Sequence, residues 1–190
     1  SYVPVGKDQE QHLEMARNFA ERFNRRYSEV FPLPQAFNFG QQLIKVPSLD
    51  GKGKMSKSEN KNATIYLADS DDEIRSKIKK AKTDAAPTER NSPKPEAVEN
   101  LFLLMSLVSP TEVVEKFEAD FNNCTIRFGD LKSQLGEDMV NFVRPIREKT
   151  EAIRNDHPYL EKVMKEGAEK ARQSAAETIK LVKAAMGLNY

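Results

Sequence analysis

VPVGKDQEQHLEMARNFAERFN, residues Val3 to Asn24, carries two periods in one short stretch. The apolar run Val3-Pro-Val5 stops at Gly6. Apolar residues then recur at Leu13, Ala16, Phe19/Ala20 and Phe23, the spacing of one helix face. A strand, a glycine and a helix in that order predict the opening of an α/β layer. Pro4 has no amide hydrogen to give a sheet, so the strand should be short or carry its proline at one end. Gly6 lets a ligand approach the backbone at the helix N-terminus, where Asp8 can accept hydrogen bonds from sugar hydroxyls. On the residues alone Asp8 more readily serves as an N-cap for a free amide of the first turn. The residues alone leave both roles open.

The whole chain has 190 residues, 38% hydrophobic and 31% charged, which is a globular composition and too apolar for a disordered tail. One large domain or two small ones fit that length. A formal net charge of +1 means that any contact with a polyanion must come from local patches. The single cysteine, Cys124, excludes an internal disulfide and a cysteine-based zinc site, favours a reducing compartment, and reads as a small core hydrophobe. The sequence holds no run of about 18 apolar residues and opens on no signal peptide, so neither a membrane span nor export is expected. Ser1 stands where a start methionine would, just before what reads as the end of a buried strand. The chain is therefore expected to begin in mid-protein.

Beyond residue 62 the pattern becomes helical. Residues 27–62 hold three prolines, three glycines and no sustained period, which predicts loops with at most one short strand near Leu43 to Val46. Ser70 should cap a helix with Asp71, Asp72 and Glu73 in its first turn and Ile74, Ile78 and Ala81 inward. Pro95 should open a helix through Leu101, Leu104, Met105 and Val108, and Ser109-Pro110 should cap the next, with Val113, Val114 and Phe117 inward. Residues 84–95, DAAPTERNSPKP, are the best linker candidate. A long helix is predicted from about Asp130 through Ile153, kinked at Pro145. The last helix should start at Pro158, with His157 at its cap and Gly187 closing it. Its stripe of Leu160, Val163/Met164, Ala168, Ala171, Ala175, Ile179, Val182 and Met186 reads as core.

Against this background the loop Gly51 to Ser58, GKGKMSKS, stands out, with three lysines, two serines and two glycines around one methionine. Glycines let backbone amides turn inward, and long cationic side chains can track moving charge, which is what a phosphate-binding loop needs. The spacing is not that of a Walker A loop. A solvated surface loop has the same composition, so the chemistry alone does not decide. Arg75, Lys77, Lys79, Lys80 and Lys82 can complement a helix dipole or contact RNA phosphates. His12, one turn after Gln9, reads as a surface or capping residue, and its HLEM context is no zinc motif.

Read together, these stretches resemble a known family. Lys54-Met-Ser-Lys-Ser58 is identical to the signature loop of class I aminoacyl-tRNA synthetases, and Val3 to Asn24 closely resembles the segment upstream of it in bacterial tryptophanyl-tRNA synthetases. The resemblance continues through IKKAKTD (78–84), RPIREK (144–149) and EGAEKAR (166–172), and is weakest between Tyr27 and Leu43. It implies an α/β plus all-α, mostly helical fold. Residues 1–68 would be the second half of a Rossmann-like catalytic domain, and 69–190 a helical bundle that binds the anticodon. It implies an ATP site in which Gly6 and Asp8 meet the ribose, with Lys7 and Gln9 beside them, and Val46 touches adenine. Lys54 and Lys57 would bind the phosphates as the catalytic pair, with Met55, Ser56 and Ser58 completing the loop. Lys7 departs from the family, which usually has an acidic residue there.

The activity so implied is ATP-dependent activation of L-tryptophan and its transfer to tRNA(Trp), with Mg²⁺ as cofactor, in a cytoplasmic homodimer that touches no membrane. The family's N-terminal signature and its indole-binding residues do not occur in these 190 residues. The resemblance therefore implies the C-terminal portion of a synthetase, inactive alone. The alternative is a non-catalytic helical RNA-binding or partner module that keeps the loop as a relic.

Overall fold

The computed structural model describes residues 1–37, 45–56 and 60–188. Two compact units emerge, one made of Ser1–Ile44 with Asp156–Tyr190 and the other of Lys45–Asn155. Among the described residues, no helix is long and apolar enough to cross a membrane.

The first unit opens with strand β1 (Tyr2–Pro4), a 3₁₀ turn (Lys7–Gln9) and helix α1 (Glu10–Arg26), and returns to strand β2 (Gln35–Phe37). The strand, glycine and helix expected at the chain start are all present. The strands run parallel, with Val3 opposite Ala36 and Pro4 opposite Phe37. Pro4 ends its strand, and the next amide, that of Val5, donates to the carbonyl of Phe37 at 3.2 Å, so the ladder loses nothing to the missing hydrogen. Asn24 organises the way back. Its side-chain amide donates to the carbonyl of Phe31 at 2.7 Å, and its oxygen accepts from the amides of Val30 (3.1 Å) and Phe31 (3.0 Å). The Phe23 ring packs on Tyr27 and Phe31 at centroid distances of 4.9 and 5.0 Å. β2 was not foreseen, because all three of its residues are exposed and it exists by pairing with β1. Of the strand expected near Leu43 to Val46, Leu43 and Ile44 lie outside the described residues, and Lys45 and Val46 are not in a strand.

Helix α6 (His157–Ala185) belongs to the same unit. Asp156 is its N-cap, accepting from the amide of Tyr159 at 3.0 Å, and His157 is its first residue, one position past the cap expected for it. Gly187, at φ +75°, closes the helix. Its amide donates to Ala184 at 3.1 Å and that of Leu188 to Lys183 at 2.8 Å, the paired bonds of a Schellman motif. The apolar stripe expected as core is not buried. Met164 is 71% and Ile179 52% exposed, and α6 buries none of its 29 residues. Two three-residue strands and one helix offer too little apolar surface to cover it.

The second unit holds the core. Helices α2 (Asp71–Lys79), α3 (Glu96–Val108), α4 (Thr111–Asn122) and α5 (Phe128–Asn155) bury Ile74, Ile78, Leu101, Leu104, Met105, Phe121, Leu131, Leu135, Val140 and Val143, each under 3% exposed. α2 and α3 both pack on α5. Ser70 caps α2 and adds a reciprocal bond, with its hydroxyl accepting from the Glu73 amide (3.3 Å) and its own amide donating to the Glu73 carboxylate (2.8 Å). Pro95 stands at the start of α3 as expected. Ser109 does not cap α4. Pro110 takes the N-cap position with no side-chain bond, while the Ser109 amide closes α3 on Met105 at 2.8 Å and its hydroxyl lies buried without a partner. Cys124 is half-buried rather than core, and it sits at φ +61° at the end of α4. There it makes the bond to Phe121 (3.0 Å) that Gly187 makes to Ala184 in α6. Residues 84–95 join α2 to α3 inside this one unit, so they are an internal loop and not an interdomain linker. α5 runs through Pro145 as a single helix.

One carboxylate ties α2 to α5. Asp71 accepts from Arg144 Nε (3.0 Å) and Nη2 (2.6 Å) and from Arg147 Nη2 (2.6 Å). Hydrogen bonds from Arg144 first, then from Arg147, hold its pKa at about 2, below the ordinary 3.8. A depressed carboxylate contributes stability that is present above its unfolded value and is lost as pH falls through the folded one. An Asp71→Asn variant should therefore unfold at lower urea concentration than the parent above pH 3.8, and the gap should close as pH falls to about 2. Urea midpoints measured across that range test this, and a gap independent of pH would rule the clamp out.

Candidate phosphate-binding loop and nucleotide site

In the second unit, residues 46–55 fold back on themselves. The amide of Met55 donates to the carbonyl of Val46 at 2.9 Å, that of Ser48 to Gly53 at 3.3 Å, and Pro47 faces Lys54 across an antiparallel bridge. The turn needs its two glycines, Gly51 at φ +81° and Gly53 at φ +67°, a region that L side chains enter at a cost. Gly51 is also sterically fixed, since a Cβ there would lie 2.9 Å from the Cβ of Ala97 on α3. Around Gly53 the space is open.

Buried Leu49 plants this turn in the core. Its amide donates to Ala63 at 2.9 Å and its carbonyl accepts from Lys82 at 2.8 Å. The hydroxyl of Ser48 adds a bond to the Ala63 carbonyl at 3.3 Å. Asp50 accepts from the Lys52 amide at 3.1 Å, and that bond, followed by one from Ser48, keeps its carboxyl below the usual range. Lys54 leaves this anchored turn as an exposed cation, whereas Met55 is half-buried and packs on the core. Ser56 follows, half-buried. Lys57 and Ser58 lie outside the described residues.

In the first unit, Gly6 is extended (φ −72°, ψ 160°) and leads into the 3₁₀ turn of Lys7, Asp8 and Gln9. The carboxylate of Asp8 folds back over Gly6, so that a Cβ there would meet Asp8 Oδ1 at 2.7 Å. Neither Gly6 nor Gln9, the cap positions of the turn and of α1, makes a side-chain cap bond. Asp8 instead accepts from the side chain of Gln9 at 3.1 Å and stays exposed, which removes the capping alternative for it. Lys7 is exposed, as is His12 on α1. Gly6 to Gln9 are thus neighbours within one unit, and Val46, Lys54, Met55 and Ser56 within the other. Val46, 41% exposed, contributes its carbonyl to the loop.

The basic run on α2 divides. Arg75 pairs with Glu137 (2.7 Å) and Asp72 (3.2 Å), and Lys77 turns to Asp69 at 2.6 Å. Lys79, Lys80 and Lys82 stay exposed. Nothing in the sequence marked Lys77 as different from its neighbours, because its partners at 64 and 69 precede the helix. Among the described residues, no group of three or more His, Cys, Asp or Glu side chains could hold a metal ion.

Residues 1–179 match the family described as tRNA synthetases class I (W and Y). The chain belongs to that family. Its fold is that of a class I synthetase with mostly helical content. Among related class I synthetases, the tryptophan–tRNA ligase of Porphyromonas gingivalis is 54% identical over 186 residues, 97% of this chain and 56% of that protein. The tryptophan–tRNA ligase of Helicobacter pylori is 39% identical over 191 residues, 98% of this chain and 56% of that protein. The structure of tryptophanyl-tRNA synthetase from Campylobacter jejuni, complexed with ADP and tryptophan, superposes with a TM-score of 0.79 at 29% identity, covering 98% of this chain and 57% of that one. The synthetase chain described here thus spans a little over half the length of these relatives.

The two glycines of the loop should respond differently to alanine. Gly51→Ala adds a left-handed penalty to a clash with α3 and should destabilise by roughly 2–4 kcal/mol. Gly53→Ala carries the conformational cost alone, about 1 kcal/mol. Urea denaturation of both variants measures the difference, and equal losses would contradict the close approach of Ala97.

Proposed function

We propose that this chain is part of a tryptophan–tRNA ligase and carries one portion of its ATP site. The observation that bears most weight is 54% identity to such a ligase along nearly the whole chain. In this reading residues 1–68 belong to the Rossmann-like catalytic domain and 69–190 form the helical domain that meets the anticodon of tRNA(Trp). These are functional bounds, distinct from the grouping of the chain into compact units. The remaining length of a relative would supply the tryptophan pocket, so these 190 residues alone are inactive. The whole enzyme acts as a cytoplasmic homodimer.

The chemistry follows from the side chains. The carboxylate of tryptophan attacks the α-phosphate of ATP, a P–O bond forms, and the bond to pyrophosphate breaks, giving tryptophanyl-adenylate. The aminoacyl group then passes to the terminal ribose of the tRNA, and AMP leaves. Asp8, free of capping duty, accepts from the ribose hydroxyls. Gly6 leaves the backbone open beside it, with Lys7 and Gln9 adjacent, and Val46 lies against adenine. Negative charge grows on pyrophosphate as it departs. Cations that close on it then, Lys54 and Lys57, lower the barrier instead of merely tightening substrate binding. Met55 and Ser56 lend the loop backbone and shape, and Ser58 is assigned to ATP binding with them. Mg²⁺ suits this site as a companion of the phosphates, since it is commonly bound through phosphate oxygens and water rather than an all-protein cage.

Tryptophan-dependent ATP–pyrophosphate exchange tests the reading. Activity should be absent from the 190-residue chain and present when it is extended to the length of its relatives. Activity in neither would favour a non-catalytic RNA-binding or partner module. In the extended protein, Lys54→Ala should lower kcat about 100-fold with little change in the KM for tryptophan. Asp8→Ala should instead raise the KM for ATP about 10-fold, roughly the loss of one or two hydrogen bonds, and a change in stability alone would defeat the ribose assignment.

A further inference from the structure

The phosphate loop is held from behind. Thr64, 6% exposed, donates from Oγ1 to the carbonyl of Ser56 at 3.3 Å. The amide of Ile65 donates to Met55 Sδ at 3.4 Å, and both side chains pack on the core. On the other side, the Met55 amide is bonded to Val46. Residues 55 and 56 are therefore gripped between two stretches of chain, directly between the two lysines assigned to the phosphates.

The gripping stretch is itself fixed by α2. Lys77 Nζ donates to the carbonyl of Thr64 at 3.0 Å and to Asp69 Oδ2 at 2.6 Å, and lies 4.9 Å from the centroid of the Tyr66 ring. The same Asp69 oxygen accepts from the amide of Tyr66 at 2.8 Å, and the Asp69 carbonyl accepts from Arg147 Nη1. The Lys77 and Asp69 side chains are only 15% and 12% exposed, so they are shielded from the solvent that weakens surface pairs. A lysine placed only to finish the core would not need its bond to Thr64, whose hydroxyl reaches the loop at Ser56. The order of contacts runs from α5 through Asp69, Lys77 and Thr64 to Ser56.

We infer that Thr64 and Lys77 are positioning residues for the phosphate-binding loop, acting on Lys54 through Ser56 and Met55. The inference rests on the reading of that loop given under Proposed function. Neither residue touches the nucleotide. They fix the root from which the Lys54 side chain extends, and a displacement of about 1 Å at a reacting centre can cost 100-fold in rate. Their removal therefore acts on kcat and spares the binding of tryptophan.

The test is ATP–pyrophosphate exchange in the chain extended to the length of its relatives, with thermal melts of every variant. Thr64→Val and Lys77→Met should each lower kcat by roughly 5- to 50-fold and leave the KM for tryptophan within about twofold. Lys77→Arg, which keeps a long cation, should recover part of the loss. The deciding measurement is Thr64→Val made in a Lys54→Ala background. A residue that acts through the loop loses much of its effect there, whereas one that only supports the fold costs the same factor in both backgrounds. Unchanged kcat in the single variants, or equal factors in the two backgrounds, would overturn the inference. If Lys54→Ala itself keeps full exchange, the phosphate assignment of the loop fails first. If Lys54→Ala abolishes exchange while Thr64→Val and Lys77→Met do not slow it, the loop assignment stands and only the positioning role falls.

Discussion

Two guanidinium groups closing on one carboxylate set the geometry of the larger unit. Asp71 lies in the first turn of α2, where an acidic residue already favours the free amides and the positive end of the helix dipole. Arg144 and Arg147, three positions apart on α5, reach the same carboxylate from one helix face. With that end of α2 fixed, Ile74 and Ile78 fall into the core, and the backbone of Arg75 passes beside Gly136 on α5. The far side of α2 can then serve the stretch that supports the loop. One nine-residue helix thus pairs with α5 near its start and, through Lys77 near its end, with the stretch that holds Ser56.

The two units differ in how far they are complete as folded bodies. The unit of Lys45–Asn155 buries a contiguous set of aliphatic and aromatic side chains and starts α2 with a reciprocal cap. The unit containing α1 and α6 has a parallel strand pair and a capped α6 but buries no residue on either helix. Amphipathic helices owe most of their stability to the surface that their apolar faces cover. The faces carrying Phe19, Met164 and Ile179 remain in water here.

Much of this was legible in the residues. Helix starts at Ser70 and Pro95 and the stop at Gly187 rest on local chemistry that each side chain brings with it, and they stand where expected. The loop and the Gly6 to Gln9 cluster stood out through the family resemblance, because on the residues alone a solvated turn and an N-cap had the same composition. What escaped notice depends on distant partners. β2 has no pattern of its own and is created by β1. Cys124 reads as a hydrophobe until the end of α4 demands a left-handed residue there. Lys77 reads as one more charge in a basic run, and only the return of residues 64–69 gives it an inward partner. The stripe of α6 misled for the opposite reason, since periodicity reports which face could be buried and not whether anything covers it.

Asn24 gives the turn before β2 an unusual kind of dependence. One planar amide both donates and accepts across seven residues of chain, and these bonds fix where β2 begins. Aspartate has the same outline but no donor, leucine has neither, and glutamine is one carbon too long. Slow chemical deamidation, which exchanges the NH₂ group for an oxygen, would bring two acceptors to 2.7 Å where a hydrogen bond had been. The turn that leads into β2 therefore depends on a single functional group, and a change of one atom in it is enough to set two acceptors against each other.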